Sequence, residues 1–186
     1  TDIQSRLISL GDPAIARHSQ RFFKTGPGEY GEGDRFRGIR VPQIRAAAKE
    51  FRHAAVADAA RLLESQYHED RLCALFMLVH FYKKGDAALQ KKIYDLYLKS
   101  TDHINNWDLV DSSAEHIVGA YLFEKSRKPL YTLAKSRSLW ERRISIMATF
   151  HFIRRNDFDD TLRLSDLLLH DKEDLIHKAV GWMLRE

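Results

Sequence analysis

The chain has 186 residues, 44% of them hydrophobic and 30% charged, and carries a formal net charge of +4. That is an ordinary soluble composition, most simply one domain over residues 1–186 with ample chain for a core. The single cysteine excludes an intramolecular disulfide and a thiolate metal cluster, and no apolar run is long enough to span a membrane or form a secretory leader, so a cytoplasmic protein is expected, taken to be a monomer.

Almost every segment has helical spacing. Ile3, Leu7 and Leu10 begin the first predicted helix, which stops at Gly11-Asp12-Pro13, where Pro13 is placed to open the second. That helix runs through Phe22-Phe23 and gives way to the stretch Thr25 to Asp34, the one loop dense in glycine and proline. Its glycines lack the strand–turn–helix setting of a dinucleotide fingerprint and the Gly-Lys-Ser/Thr ending of a phosphate loop, so an ordered surface loop is expected. Phe36 to Pro42 is extended through the proline, and another helix follows from about Pro42 to Phe51.

Beyond residue 50 the chain repeats itself. Segments aligned on Ala74, Ala114, Ile146 and Ala179 recur at offsets of 40, 32 and 33 residues, each with an apolar partner four later: Leu78, Val118, Phe150 and Met183. A predicted helix precedes each anchor, marked by Leu62-Leu63, Tyr94 and Leu98, Leu130 and Leu133, or Leu164 and Leu168. The period is that of HEAT-type helix pairs, which predicts an all-α solenoid, a curved stack of helix pairs with a concave groove. Three residues before the anchors stand Arg71, Asp111, Arg143 and Ile176, so Asp111 and Arg143 should lie on adjacent helices. Trp107, a turn before Asp111, and Trp182, beyond Ile176, can reach the same wall.

All three tryptophans lie near charged residues, in Ile104 to Asp111, Trp140 to Arg143 and Gly181 to Glu186. An indole face attracts cations, a carboxylate stabilises them, and a guanidinium binds phosphate. Such a set suits a substrate that is both cationic and phosphorylated, as alkylated DNA is. From Lys125 to Arg155 there are nine basic side chains against Glu141 alone, a solvated face or a track for a polyanion.

These residues carry a resemblance. Gly31 to Pro42, Asn105 to Ser112, Leu139 to Arg143 and His177 to Glu186, in this order, resemble the AlkD-type DNA alkylation-repair glycosylases, all-helical HEAT-like-repeat proteins, over essentially the whole chain. The resemblance implies an active groove of two tryptophans, an aspartate and an arginine, which fall on Trp107, Trp182, Asp111 and Arg143. It implies Asp111 for electrostatic catalysis and water positioning, Trp107 and Trp182 as a cradle for the sugar, and Arg143 on a phosphate. Lys125, Arg127, Lys128, Arg137 and Arg154 are DNA-track candidates, and the partner is double-stranded DNA with alkylated bases. Family members carry further helices after the Gly-Trp motif, which are missing here, and Phe22 stands where some have a hydroxylated aromatic.

The implied activity is a monofunctional glycosylase excising N7-alkylguanine and N3-alkyladenine, with no metal or cofactor. Each residue also has a structural alternative. Asp111 can be a helix-terminal carboxylate or half of a salt bridge with Arg143; Arg143 can pair with Asp108 or Glu141; the tryptophans can be packing, as Trp140 is taken to be. Cys73 lies among apolar neighbours as a packed thiol, and His68, His103, His116, His170 and His177 lack zinc-site spacing. The rival function is a non-catalytic HEAT-like scaffold that binds damaged or branched DNA or a protein partner.

Overall fold

The computed structural model describes residues 3–186, which are helical almost throughout. Among the described residues, bridging outside helices is limited to one contact between Arg35 and Tyr67. The chain forms two compact units, Thr1–Lys84 and Gly85–Glu186.

In the first unit, α1 (Ile3–Leu10) ends at the Gly11-Asp12-Pro13 break and α2 (Pro13–Phe22) begins where the sequence predicts. Asp12 caps α2, accepting from the amides of Ala14 and Ile15, while Pro13 supplies the first turn with a fixed φ and no orphaned N–H. After the loop, α3 (Val41–Glu50), α4 (Val56–Leu63) and α5 (His68–Lys84) follow, and α1, α3 and α4 all pack on α5. α5 is buried on almost every side, from His68 to Tyr82, and Ala74 and Cys73 lie in its fully buried centre. Burial pushes the Cys73 thiol up to about 12, which makes it a packed side chain rather than a nucleophile.

The loop is ordered, and a charged seam docks it on α5. Glu69 accepts the amides of Arg37, Gly38 and Ile39, Asp70 takes a bidentate pair from Arg37, and Asp34 lies between His68 and Arg71. Gly38, at φ +81°, is required here, because a Cβ would fall 1.9 Å from the carbonyl oxygen of Asp12.

In the second unit, α6 (Ala87–Lys99) leads through a 3₁₀ turn at Thr101–His103 into α7 (Trp107–Asp111), a π-helical turn at Glu115–Gly119 and α8 (Ala120–Leu122). α9 (Lys128–Leu133) pairs with α10 (Leu139–Ala148), and after α11 (Phe150–Ile153), α12 (Asp159–Leu167) pairs with α13 (Asp174–Arg185). α10 is the hub, packing on α7, the π turn, α9 and α13. Gly119 permits a close approach of the π turn to α10, since a Cβ there would sit 2.1 Å from the carbonyl of Ala148. The anchors Ala114, Ile146 and Ala179 are fully buried, as the repeat register requires.

Candidate active site

The repeat places Asp111 at the end of α7 and Arg143 in the first half of α10, and the structure joins them. Arg143 donates from Nε to Asp111 Oδ1 and from Nη2 to Asp111 Oδ2, each at 2.8 Å, a bidentate fork. Its Nη1 donates to the backbone carbonyl of Leu175 on α13, so one guanidinium ties three helices together. The ion pair read as an alternative role for these two residues is therefore real. Arg143 pairs with neither Asp108 nor Glu141 in the hydrogen bonds it makes; Glu141 instead accepts from the Thr101 hydroxyl at 2.7 Å, bracing the turn before α7.

Asp111 is not a quiet half of that pair. Burial pushes its carboxyl up, the Arg143 hydrogen bonds and charge pull it down, and Asp108 adds a second upward push; the net direction is up. Its side chain keeps 15% of its surface exposed against 6% for Arg143, so the carboxylate remains within reach of a ligand. Beneath it, the fully buried Tyr97 shares a hydrogen bond with Ser113, whose hydroxyl donates to the Leu109 carbonyl at 2.6 Å. That inserts a side chain into the helical ladder two residues past Asp111 and fixes where α7 breaks.

Trp107 opens α7 behind Asn106, whose side chain accepts the Trp107 amide at 2.8 Å, and it lies one turn from Asp111 along the helix. Trp182 stands two turns past Leu175 on α13, on the face that Arg143 reaches. Both indoles are half-buried, whereas Trp140 is buried and packs in the core.

The basic candidates divide. Arg127 is engaged by Asp157, Asp160 and the Phe123 carbonyl, with its guanidinium 4.2 Å from the Phe152 ring centre. Lys125, Lys128, Arg137 and Arg154 are exposed; Lys125 lies over Tyr121, and Arg154 pairs with Glu115 across the Phe150 ring. Arg142, from the same basic run, is held bidentately by Asp171.

Two neighbours of the site escaped the sequence reading. Phe150 stands at the repeat position that buries Leu78, Val118 and Met183, but it is only half-buried and its ring meets Trp182. Glu115 follows Asp111 by four residues, and this spacing alone could have flagged it as sharing a helix face. Among the described residues, no three His, Cys, Asp or Glu side chains gather as metal ligands. No helix among the described residues is long and apolar enough to cross a membrane.

The sequence model of a family described as DNA alkylation repair enzyme matches residues 3–186. A solved structure described as a predicted DNA alkylation repair enzyme from Enterococcus faecalis is 16% identical, with a TM-score of 0.67 over 94% of this chain and 82% of that one, a likeness of fold. No curated protein matches.

Proposed function

The chain belongs to the DNA alkylation repair enzyme family, and from that premise we propose that it is a monofunctional DNA glycosylase of the AlkD type. Its substrates are cationic purines, N7-alkylguanine and N3-alkyladenine, excised from duplex DNA as the first step of base excision repair. The helix pairs of the second unit would form part of a HEAT-like stack, with the site on its concave wall.

The observation that carries this reading is the Asp111 carboxylate, partly open and held, among the described residues, by Arg143. In an N7- or N3-alkylated purine the base already bears the positive charge. When the bond from C1′ to the base nitrogen breaks, its electron pair neutralises the departing base and the positive charge passes to the sugar, an oxocarbenium-like state. Asp111 is the group that would stabilise this cation and orient the water that adds to C1′, taking up the proton released. Trp107 and Trp182 would present indole faces to the sugar and favour its cationic form. Arg143 holds the carboxylate in place, and two of its five N–H groups are not used by Asp111 or Leu175, which suits it to a phosphate beside the lesion. Lys125, Lys128 and Arg137 would follow the backbone.

The bidentate pairing of Asp111 with Arg143 also suits the second reading, a DNA-binding scaffold in which the pair is only a brace. Release of 7-methylguanine from methylated duplex DNA separates the two. The glycosylase reading expects release by the wild type, and a drop of about a hundredfold or more in Asp111→Asn with DNA binding retained. Salt-sensitive binding without release in the wild type would establish the scaffold instead.

A further inference from the structure

Two carboxylate–guanidinium rungs cross the same pair of chain segments, and the mechanism uses only the first. Asp111 pairs with Arg143, which is almost wholly buried. One helical turn later Glu115 pairs with Arg154 at 3.0 Å, and here the arginine side chain is 55% exposed while the carboxylate is buried. Arg154 is not a loose surface cation. Its guanidinium carbon lies 4.3 Å from the centre of the Phe150 ring. That ring is 5.9 Å from the Trp182 ring, tilted at 58°, and Trp182 is itself held by a hydrogen bond from Nε1 to Glu186. Three flat groups thus run in sequence, Trp182, Phe150 and Arg154.

The chemistry of this row differs from that of a phosphate track. A phosphate can be met by a charge on a flexible stem, as at Lys125 or Lys128, or by a guanidinium whose N–H fork is free to turn toward it. A guanidinium laid on a ring and pinned by a buried carboxylate has been fixed in plane, which serves stacking. Unstacked nucleobases settle on aromatic rings and on arginine planes in this way, with little dependence on sequence. The neighbouring imidazole does not compete for charge: His151 is pushed down to about 4 by burial and by Arg155, His116 and Arg154, so it is neutral at pH 7.

We propose that Phe150 and Arg154, continuing from the Trp182 indole, form a stacking shelf for an unpaired nucleobase next to the lesion, with Glu115 as the residue that positions Arg154. This rests on DNA as the partner but not on glycosidic cleavage. The shelf would take the base left without a partner when the duplex is opened at the site.

The test uses unalkylated DNA, so that catalysis does not enter. The affinity of the full chain is measured by fluorescence anisotropy for a duplex with one unpaired, bulged adenine and for the same duplex fully paired. The shelf predicts a wild-type preference of roughly tenfold for the bulged duplex. That ratio should fall toward one in Phe150→Leu and in Arg154→Lys, which keeps the charge but loses the plane, and Phe150→Tyr should restore it. Thermal unfolding identifies a misfolded Phe150→Leu, in which case Arg154→Lys decides. No preference in the wild type, or a preference that survives Arg154→Lys, overturns the shelf. Failure of 7-methylguanine release with the bulge preference intact would instead remove the glycosylase reading and leave the shelf standing.

Discussion

Each unit of the chain buries a carboxylate against an arginine, and the two pairs are poised in opposite directions. In the first unit Asp34, 4% exposed, meets two partners, His68 Nδ1 at 3.0 Å and Arg71 Nη2. Burial pushes its carboxyl up, but the hydrogen bonds and charges of His68 and Arg71 outweigh that and bring it below the ordinary 3.8. In the second unit burial again pushes Asp111 up; Arg143 opposes it, Asp108 adds to the push, and the carboxyl ends above 3.8. A carboxylate saturated with donors is finished as chemistry and serves to hold a loop on a helix. One left short of positive charge gains from the arrival of another, and a sugar cation forming beside Asp111 would supply it.

The largest expected effect breaks the first pair. Asp34→Ala strands Arg71 and His68 in a buried setting and should cost about 3–5 kcal/mol in denaturant unfolding. Asp111→Asn, which keeps an acceptor for Arg143, should cost less while removing the activity. Equal stability losses would erase the distinction between the two pairs.

Acid sharpens the comparison. Asp34 has a lowered folded pKa, so the stability it contributes is present above 3.8 and lost only as the pH falls through that lower value. Asp111 has a raised folded pKa, so its ionisation opposes folding as the pH rises past 3.8, yet its catalytic form exists only above the raised value. Release of 7-methylguanine should therefore fail at a pH still above 3.8, where circular dichroism reports folded protein. An activity limb at or below the ordinary aspartate value would contradict the raised direction. Arg143→Met, which removes the main opposing charge, should move that limb further upward while lowering the maximal rate.

Much of this was legible in the chain. The Gly11-Asp12-Pro13 break carries its own stop, cap and start, and the offset of 32 between Ala114 and Ile146 is enough to bring Asp111 to Arg143. The same register put Arg71 in the row but could not find its partner, because Asp34 lies in a loop 37 residues away and loops carry no period. Nor could composition sort the basic run. Arg127 and Arg142 are spent on Asp157, Asp160 and Asp171 from the acidic stretch that follows, a pairing set by the fold and not by spacing. Phe150 reads as core because its repeat equivalents are core.

That division of the basic run gives the smallest and most discriminating prediction. Lys128 is exposed at the start of α9, whereas Arg127 is locked between two carboxylates and the Phe152 ring. If Lys128 meets a phosphate, Lys128→Ala should weaken duplex binding uniformly across sequences and reduce the slope of log K against log salt by about one. The effect on stability should lie within about 0.5 kcal/mol, as for most surface changes. Arg127→Ala should do the reverse, leaving the salt slope unchanged and lowering the unfolding midpoint, since it leaves Asp157 and Asp160 facing each other without their shared cation. Titrations over a range of salt, run beside denaturant unfolding on both variants, would show whether charge exposure or mere charge count draws the DNA track.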